Sequence, residues 1–347
     1  MQELRTSKEA VLMNVVHDAT PVNVQATMQE EIVARLVLEA VPDAALVPTK
    51  LLKAFNNMVF MDEAEKDSAF KWKRSQIIAF LGKVKGNPDA YNVVQTARDS
   101  LTKVVDKIVS ISQETNPKPF LQSHITALYQ VKNKEFNLET IFDLVGWFFS
   151  VTGTSPTGAN RENYYYPLAC LFCVFWRRLT RPENAEVEAY IAANNEPQKI
   201  QMTVFDQGKA SKKVTRICIM SNVPGKKEFK TEREKVRDSR EDALIADGLQ
   251  EKRLKNQTMV KPNGQKFGSC AETLPFLFIK SILSDVDAKT AEGFAFKPQL
   301  ILPEEGKTYK YNKPSAEQID RACNNCAYLL GPGRLGFTYD NFTESKY

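Results

Sequence analysis

The sequence has few of the residues on which several classes of protein depend. Only 2 of its 347 residues are histidines, His17 and His124. Chemistry in the back half of the chain must therefore use other side chains. The 6 cysteines are too few and too unevenly spaced for a disulfide framework. In a reducing compartment we expect them to be free thiols or metal thiolates.

A membrane-spanning run and a secretory signal are also lacking. The longest strongly apolar stretch, 167–176, ends at Arg177 and Arg178, well short of the ~20 residues that a spanning helix needs. The first twenty residues lack a continuous apolar core. We therefore predict a cytoplasmic or nuclear protein with no membrane partner. The net charge of +5 only weakly favours anionic partners.

The front half of the sequence has the periodicity of amphipathic helices. Apolar residues recur at spacings of three and four, most clearly between Val94 and Ile111. Similar patterns cover 26–41, 49–62, 68–84, 118–131, 138–151 and 162–179. Because no strand-like alternation interrupts them, residues 1–194 are predicted to form one all-α domain. Cys170 and Cys173 lie among apolar residues there, which favours burial in the core over half of a metal site.

The pattern changes after residue 195. Two short runs rich in β-branched residues, 200–205 and 214–220, are predicted to be paired strands, and a further strand region is predicted at 294–302. Between the second and the third of these strand regions, at about 225–258, charges of both signs predict a solvated helical insertion. The alternative, a nucleic-acid-binding arm, is less favoured because the opposite charges nearly cancel. The prediction is thus a multidomain chain, all-α followed by α/β at 195–347.

Three cysteines near the end of the chain have the spacing of metal ligands. Cys270 is predicted to lie at the N-terminus of a helix and Glu272 in its first turn, where the exposed N–H groups lower the pKa of a thiol. Cys323 and Cys326 can bind one ion together, and Cys270 would supply a third thiolate. Three protein ligands leave one tetrahedral position for water, as in catalytic zinc sites.

The segments Cys270-Ala-Glu272 and Cys323-Asn-Asn-Cys326 together resemble the signature of the zinc-dependent cytidine deaminase-like superfamily. In general appearance the chain is similar to the divergent fungal members. The resemblance covers about residues 197–347 and implies a deaminase-like α/β/α domain. It also implies that Cys270, Cys323 and Cys326 hold Zn²⁺ and that Glu272 is the catalytic proton shuttle.

The implied reaction is the hydrolytic deamination of a nucleobase. Zinc would lower the pKa of its bound water, and hydroxide would attack the amidine carbon while Glu272 moves the protons. The substrate would be a nucleoside, a nucleotide or a base in single-stranded nucleic acid. Aromatic residues such as Phe267 and Tyr328 could line a groove for a polymer. The sequence does not predict the oligomeric state.

Some features depart from the family pattern and leave alternatives open. Ala322 stands where the family usually has proline, and only 21 residues follow Cys326. Three thiolates would also make the bound water less acidic, unless a donor such as Arg321 offsets their charge. One alternative is a noncatalytic interaction protein whose structural zinc is closed by Cys218 or another fourth ligand. The other is that the cysteines bind nothing and pack in the core.

Overall fold

The computed structural model describes residues 70–114, 117–129, 135–152, 155, 158–180, 196–207, 214–225, 229–246, 267–282, 291–298, 319–320 and 322–330. All of these residues belong to the unit Pro48–Tyr347. The helices predicted at 26–41 and 49–62 lie outside the described residues.

Four of the described helices come from the front half of the chain. They are α1 (Arg74–Gly86), α2 (Arg98–Ser112), α3 (Ile141–Val151) and α4 (Tyr166–Thr180). Short 3₁₀ turns at Asp89–Tyr91 and Gln95–Ala97 precede α2, and a π-helical turn at Arg161–Tyr165 precedes α4. The apolar stripe of α2 is buried, as its sequence spacing predicts. Cys170 and Cys173 are fully buried in α4, which confirms their predicted place in the core.

The front half also contains a two-stranded antiparallel sheet, which corrects the all-α prediction for residues 1–194. Strand β1 (Phe120–Leu128) pairs with β2 (Glu135–Thr140). The helix predicted over 118–131 is therefore wrong. Leu121, Ile125 and Leu128 have helix-like spacing, but the pairing register shifts between Phe120 and Ile125. Such an irregularity breaks the two-residue alternation by which a strand is recognised.

A second sheet comes from the back half. Its strands are β3 (Ile200–Gln207), β4 (Val214–Ser221), β5 (Glu292–Phe296) and β6 (Ile319–Asp320). They lie in the order β4-β3-β5-β6, and every neighbouring pair is antiparallel. The predicted hairpin is confirmed, because Ile200 pairs with Ser221 and Gln207 with Val214. Every residue of β3 from Ile200 to Phe205 is buried, so both faces of this strand are covered.

The remaining helices are α5 (Lys230–Ala246), α6 (Thr273–Ile282) and α7 (Asn324–Leu330). The ring of Phe278 in α6 lies 5.6 Å from that of Phe205 in β3. The ring centroids of Tyr166 in α4 and Phe294 in β5 are 4.8 Å apart. Phe294 lies opposite Met202 in the pairing of β5 with β3. Since Met202 and Phe205 point to opposite faces of β3, α4 and α6 cover opposite faces of the sheet.

Helix α3 packs along the outer edge of β4. The Ser150 hydroxyl accepts a hydrogen bond of 3.0 Å from the N–H of Ile219. Gly146 lies so close that a Cβ there would be 2.5 Å from the carbonyl oxygen of Ile219. Described residues on both sides of position 195 contribute to one continuous core. The predicted boundary at 194/195 thus does not separate two cores within the described residues.

The charged segment predicted at about 225–258 contains helix α5, but that helix is not simply solvated. Val236, Arg240 and Leu244 are buried. Arg240 donates from Nη2 to Oδ1 of Asp143 at 2.8 Å, and the two side chains are 2% and 0% exposed. A buried ion pair therefore docks α5 on α3. None of the described helices combines the length and the apolarity that crossing a membrane requires.

Candidate metal centre

The three cysteines predicted as metal ligands converge in the structure. Sγ of Cys323 lies 3.3 Å from Sγ of Cys270 and 3.4 Å from Sγ of Cys326. All three sulfur atoms are within 4.8 Å of one another. They come from two segments that are far apart in sequence, so the fold itself assembles the cluster. These three residues could hold a metal ion.

Cys270 lies in a turn that two other elements hold in place. Gly268 has φ +82°, and a Cβ on it would be 2.2 Å from the carbonyl oxygen of Arg237 in α5. The N–H of Val223, just after β4, donates to the Ser269 carbonyl at 3.1 Å. Helix α6 starts at Thr273. The prediction that Cys270 lies near the N-terminus of a helix is confirmed, whereas Glu272 directly precedes the first turn and is not part of it.

Cys323 and Cys326 are placed by the start of helix α7. Strand β6 ends at Asp320, and the helix begins at Asn324, with Cys326 in its first turn. The backbone N–H of Ala327 donates to the Cys323 carbonyl at 2.8 Å. Residues three apart on a helical turn lie on the same side. The C-x-x-C spacing therefore points both thiols toward Cys270.

Cys323 is the cysteine of the group whose pKa is lowered. Its contacts with the thiols of Cys270 and Cys326, together with hydrogen bonds from the backbone N–H groups of Cys326 and Asn325, lower the pKa of Cys323. The hydrogen bond with Cys323 raises the pKa of Cys270, and burial raises that of Cys326. A metal ion that binds here must therefore displace the protons of two thiols, which makes binding pH-dependent.

The donor set fits zinc in both chemistry and size. Sulfur atoms around a tetrahedral ion with Zn–S bonds of ~2.3 Å are ~3.8 Å apart. The observed separations of 3.3 and 3.4 Å need only a small expansion to reach that spacing. Thiolates are soft ligands that select ions such as Zn²⁺ or Cu⁺ over Mg²⁺ and Ca²⁺.

Glu272 lies beside the cluster but outside the ligand group. Its side chain is 4% exposed, and its carboxylate interacts with Cys326 of the cluster. Burial, together with the charge of Cys323, raises the pKa of Glu272 to about 7, while its own backbone N–H and Lys199 act in the opposite direction. A divalent cation on the sulfurs would lower this pKa again. The carboxylate thus lies next to the candidate ligand group without belonging to it.

Other residues singled out in the sequence lie elsewhere. Cys218 is buried in β4, hydrogen-bonded to Ser150, and is not part of the cluster. Among the described residues, the ligand group therefore has three members. Arg321 lies outside the described residues, and the backbone N–H groups at the start of α7 supply donors to Cys323 instead. Phe267 is 4% exposed and packs on Tyr328 at 5.8 Å, so its ring is a packing element and not an open stacking surface.

The structure also reveals a charged residue that sequence reasoning missed. Lys199 precedes β3, and its Nζ lies 2.9 Å from Oδ2 of Asp320, three residues before Cys323. It lies far from either cysteine segment in the chain, and nothing in its sequence neighbourhood marks it. Only the sheet brings it to the cluster.

A scan of the chain against protein-family models, and searches of curated proteins and of solved structures, give no match. Any assignment of function therefore depends on the residues of the cluster and their geometry.

Proposed function

We propose that this protein is a zinc-dependent hydrolytic deaminase of a nucleobase, in a nucleoside, a nucleotide or single-stranded nucleic acid. One observation carries the proposal. Three cysteine sulfurs lie within 4.8 Å of one another, and the buried carboxylate of Glu272 lies next to them without joining the ligand group. The order of these residues along the chain, Cys270-Ala-Glu272 and then Cys323-Asn-Asn-Cys326, supports it by resembling the deaminase signature.

Each group has a defined part in the reaction. Cys270, Cys323 and Cys326 would hold the zinc, which would supply an acidified water as the nucleophile. Glu272 accepts a proton from that nucleophile and delivers protons to the ring nitrogen and to the departing amine. Overall, the amidine carbon gains an oxygen from water and loses its nitrogen as ammonia. Burial of Glu272 limits proton exchange with bulk water during these transfers.

The charge on the sulfurs is partly offset by the fold. Three thiolates over-neutralise a divalent cation and would weaken the acidity of its bound water. The backbone N–H groups of Asn325 and Cys326 donate to Cys323 and draw charge away from that sulfur. Such donors around a metal tune the acidity of the water that it binds. The main chain of α7 therefore helps to keep the centre electrophilic.

The decisive experiment combines zinc analysis with an activity panel. The purified protein should carry about one zinc per chain, because three cysteines match one site. It should release ammonia from at least one of a set of cytosine, adenine and guanine nucleosides, nucleotides and single-stranded oligonucleotides. Glu272→Gln should keep the zinc but lower the rate at least ~10²–10⁴-fold, the usual loss when a general acid–base is removed.

The matched control is Glu162→Gln, which makes the same chemical change in the π-helical turn before α4. It should leave the rate unchanged. Activity that survives Glu272→Gln would contradict the assigned proton shuttle. A protein that is fully loaded with zinc and inactive on every substrate would instead indicate a structural site in an interaction protein.

A further inference from the structure

The backbone of Lys199 is fixed just before the β3–β4 hairpin. Its N–H donates to Oδ1 of Asn222 at 2.7 Å, and its carbonyl accepts from the Asn222 N–H at 3.0 Å. The next residue, Ile200, begins β3 and pairs with Ser221. The Lys199 side chain therefore starts from a position that the sheet determines.

The ammonium group of Lys199 is anchored close to the second pair of ligands. Its Nζ lies 2.9 Å from Oδ2 of Asp320, and the two side chains are 35% and 20% exposed. Asp320 ends β6, three residues before Cys323. A second lysine, Lys297, lies farther out, with its Nζ 3.7 Å from Oδ1 of the same carboxylate and its side chain 45% exposed.

The pKa of Lys199 also depends on the charges of the cluster. Burial lowers its pKa, but Asp320, Glu272 and Cys323 raise it by more, so the net shift is upward. The geometry agrees, since Val223, next to the Asn222 that pairs with Lys199, donates its N–H to the Ser269 carbonyl beside Cys270 at 3.1 Å. The position is significant because the cluster has too much negative charge. Three thiolates exceed a divalent cation by one negative charge, and an ionised Glu272 adds another.

We propose that Lys199 is a positioning residue that supplies the counter-charge of the metal centre, with Asp320 holding its ammonium against the thiolates and Glu272. By offsetting the negative charge of the cysteines, it strengthens metal binding. This inference depends on the metal site of the proposed function and not on deamination itself.

The test measures metal binding and requires no substrate. Apo-protein is titrated with Co²⁺, which absorbs visibly when thiolates bind it, at a series of pH values. Lys199→Gln should weaken Co²⁺ binding ~10–100-fold, as is typical when a group that supports the ligands is lost. It should also move the pH midpoint of Co²⁺ binding upward. Lys199→Arg keeps the charge and should restore most of the affinity and the midpoint.

Lys297→Gln is the matched control, because it removes the same charge from a neighbour of the same aspartate. It should change Co²⁺ affinity less than about threefold, as expected for an exposed charge screened by solvent. Lys199→Met, which keeps the apolar stem, provides a second neutral variant, and circular dichroism of the apo-proteins checks that each one folds.

The proposal is overturned if Lys199→Gln and Lys199→Met bind Co²⁺ with wild-type affinity and wild-type pH midpoint. It is also overturned if Lys297→Gln has the same effect as Lys199→Gln, since the cause would then be general charge. Loss of Co²⁺ affinity in Lys199→Gln, with recovery in Lys199→Arg, supports the proposal even if the protein deaminates no substrate. The absence of deamination would refute the proposed function alone.

Discussion

Gly268 is the residue of the turn carrying Cys270 that we expect to tolerate substitution least. It has φ +82°, and a Cβ there would be 2.2 Å from the carbonyl oxygen of Arg237 and 3.2 Å from the backbone nitrogen of Glu241. Both contacts are with the main chain of α5, which cannot rotate away as a side chain can. Gly268→Ala must therefore push α5 and the Cys270 turn apart.

Gly158 provides a matched control. It also has φ +82°, but a Cβ on it would have nothing within 4 Å. Alanine at either position is strained in the left-handed backbone region to the same degree. The difference between the two variants therefore measures the contact between the turn and α5, separately from the cost of the backbone conformation.

The two variants differ by the contact with α5. Left-handed backbone costs a residue with a Cβ ~1–2 kcal/mol, and the stiffer unfolded chain returns ~0.4–1 kcal/mol. Gly158→Ala should thus lower the free energy of unfolding by ~0–1.6 kcal/mol. Forcing extra volume into a packed contact adds ~1–3 kcal/mol. Gly268→Ala should therefore lose ~1–3 kcal/mol more than Gly158→Ala, and its Co²⁺ affinity should fall because Cys270 is displaced.

Urea unfolding of the apo-proteins gives the free energies, and Co²⁺ titration gives the affinities. The slope of the unfolding free energy against urea should be the same in both variants, so that a shift in midpoint reports stability. Losses within ~0.5 kcal/mol of each other, with unchanged Co²⁺ binding in both, would refute the close contact between α5 and the turn.

Three further variants test other parts of the structure. Cys323→Ser should abolish zinc binding and lower the melting temperature in the presence of zinc, whereas Cys170→Ser should keep a full zinc complement by metal analysis. Arg240→Met leaves Asp143 charged and buried and should cost ~3–5 kcal/mol in urea unfolding; a double variant with Asp143→Leu should recover much of it. Burial and the charge of Asp143 raise the folded-state pKa of Glu139 to about 7. Ionisation of Glu139 therefore lowers the free energy of unfolding as the pH rises from about 4.5 to 7. Glu139→Gln should therefore be more stable than wild type at pH 8 in apo-protein melts, with the difference shrinking toward pH 5.

The parts of the fold that the sequence predicts are those whose periodicity is undisturbed. Helix α2 buries Leu101, Val104 and Ile108 on one stripe, as its spacing indicates. The helix predicted over 118–131 is wrong. This segment forms strand β1, whose pairing register shifts after Phe120 and hides the alternation of a strand. Strand β2 does carry a usable signal, since its buried and partly exposed residues largely alternate. Short alternating runs inside a helix-like region are therefore informative.

The candidate site divides in a similar way. Cys270, Cys323 and Cys326 can be grouped from the sequence because thiols at a C-x-x-C spacing, with a third at the start of a helix-like segment, are typical of metal ligands, and the structure brings them together. Lys199 cannot be found in that way, because a single lysine is recognised only by what the tertiary fold places next to it. The ion pair of Arg240 with Asp143 joins residues 97 positions apart, which no local pattern encodes.

The contact at Gly268 also shows how a highly charged helix can support the candidate metal centre. Because the atom that would clash is the main-chain oxygen of Arg237, shortening the side chain at 237 would not relieve the contact. Arg237→Ala should thus leave the turn in place and should not rescue Gly268→Ala. The buried Arg240, one turn farther along α5, holds the helix in position through its ion pair with Asp143. The contact with the Cys270 turn therefore depends on the backbone of α5 and not on its charged side chains. Rescue of Co²⁺ binding in the double variant Arg237→Ala/Gly268→Ala would contradict this arrangement.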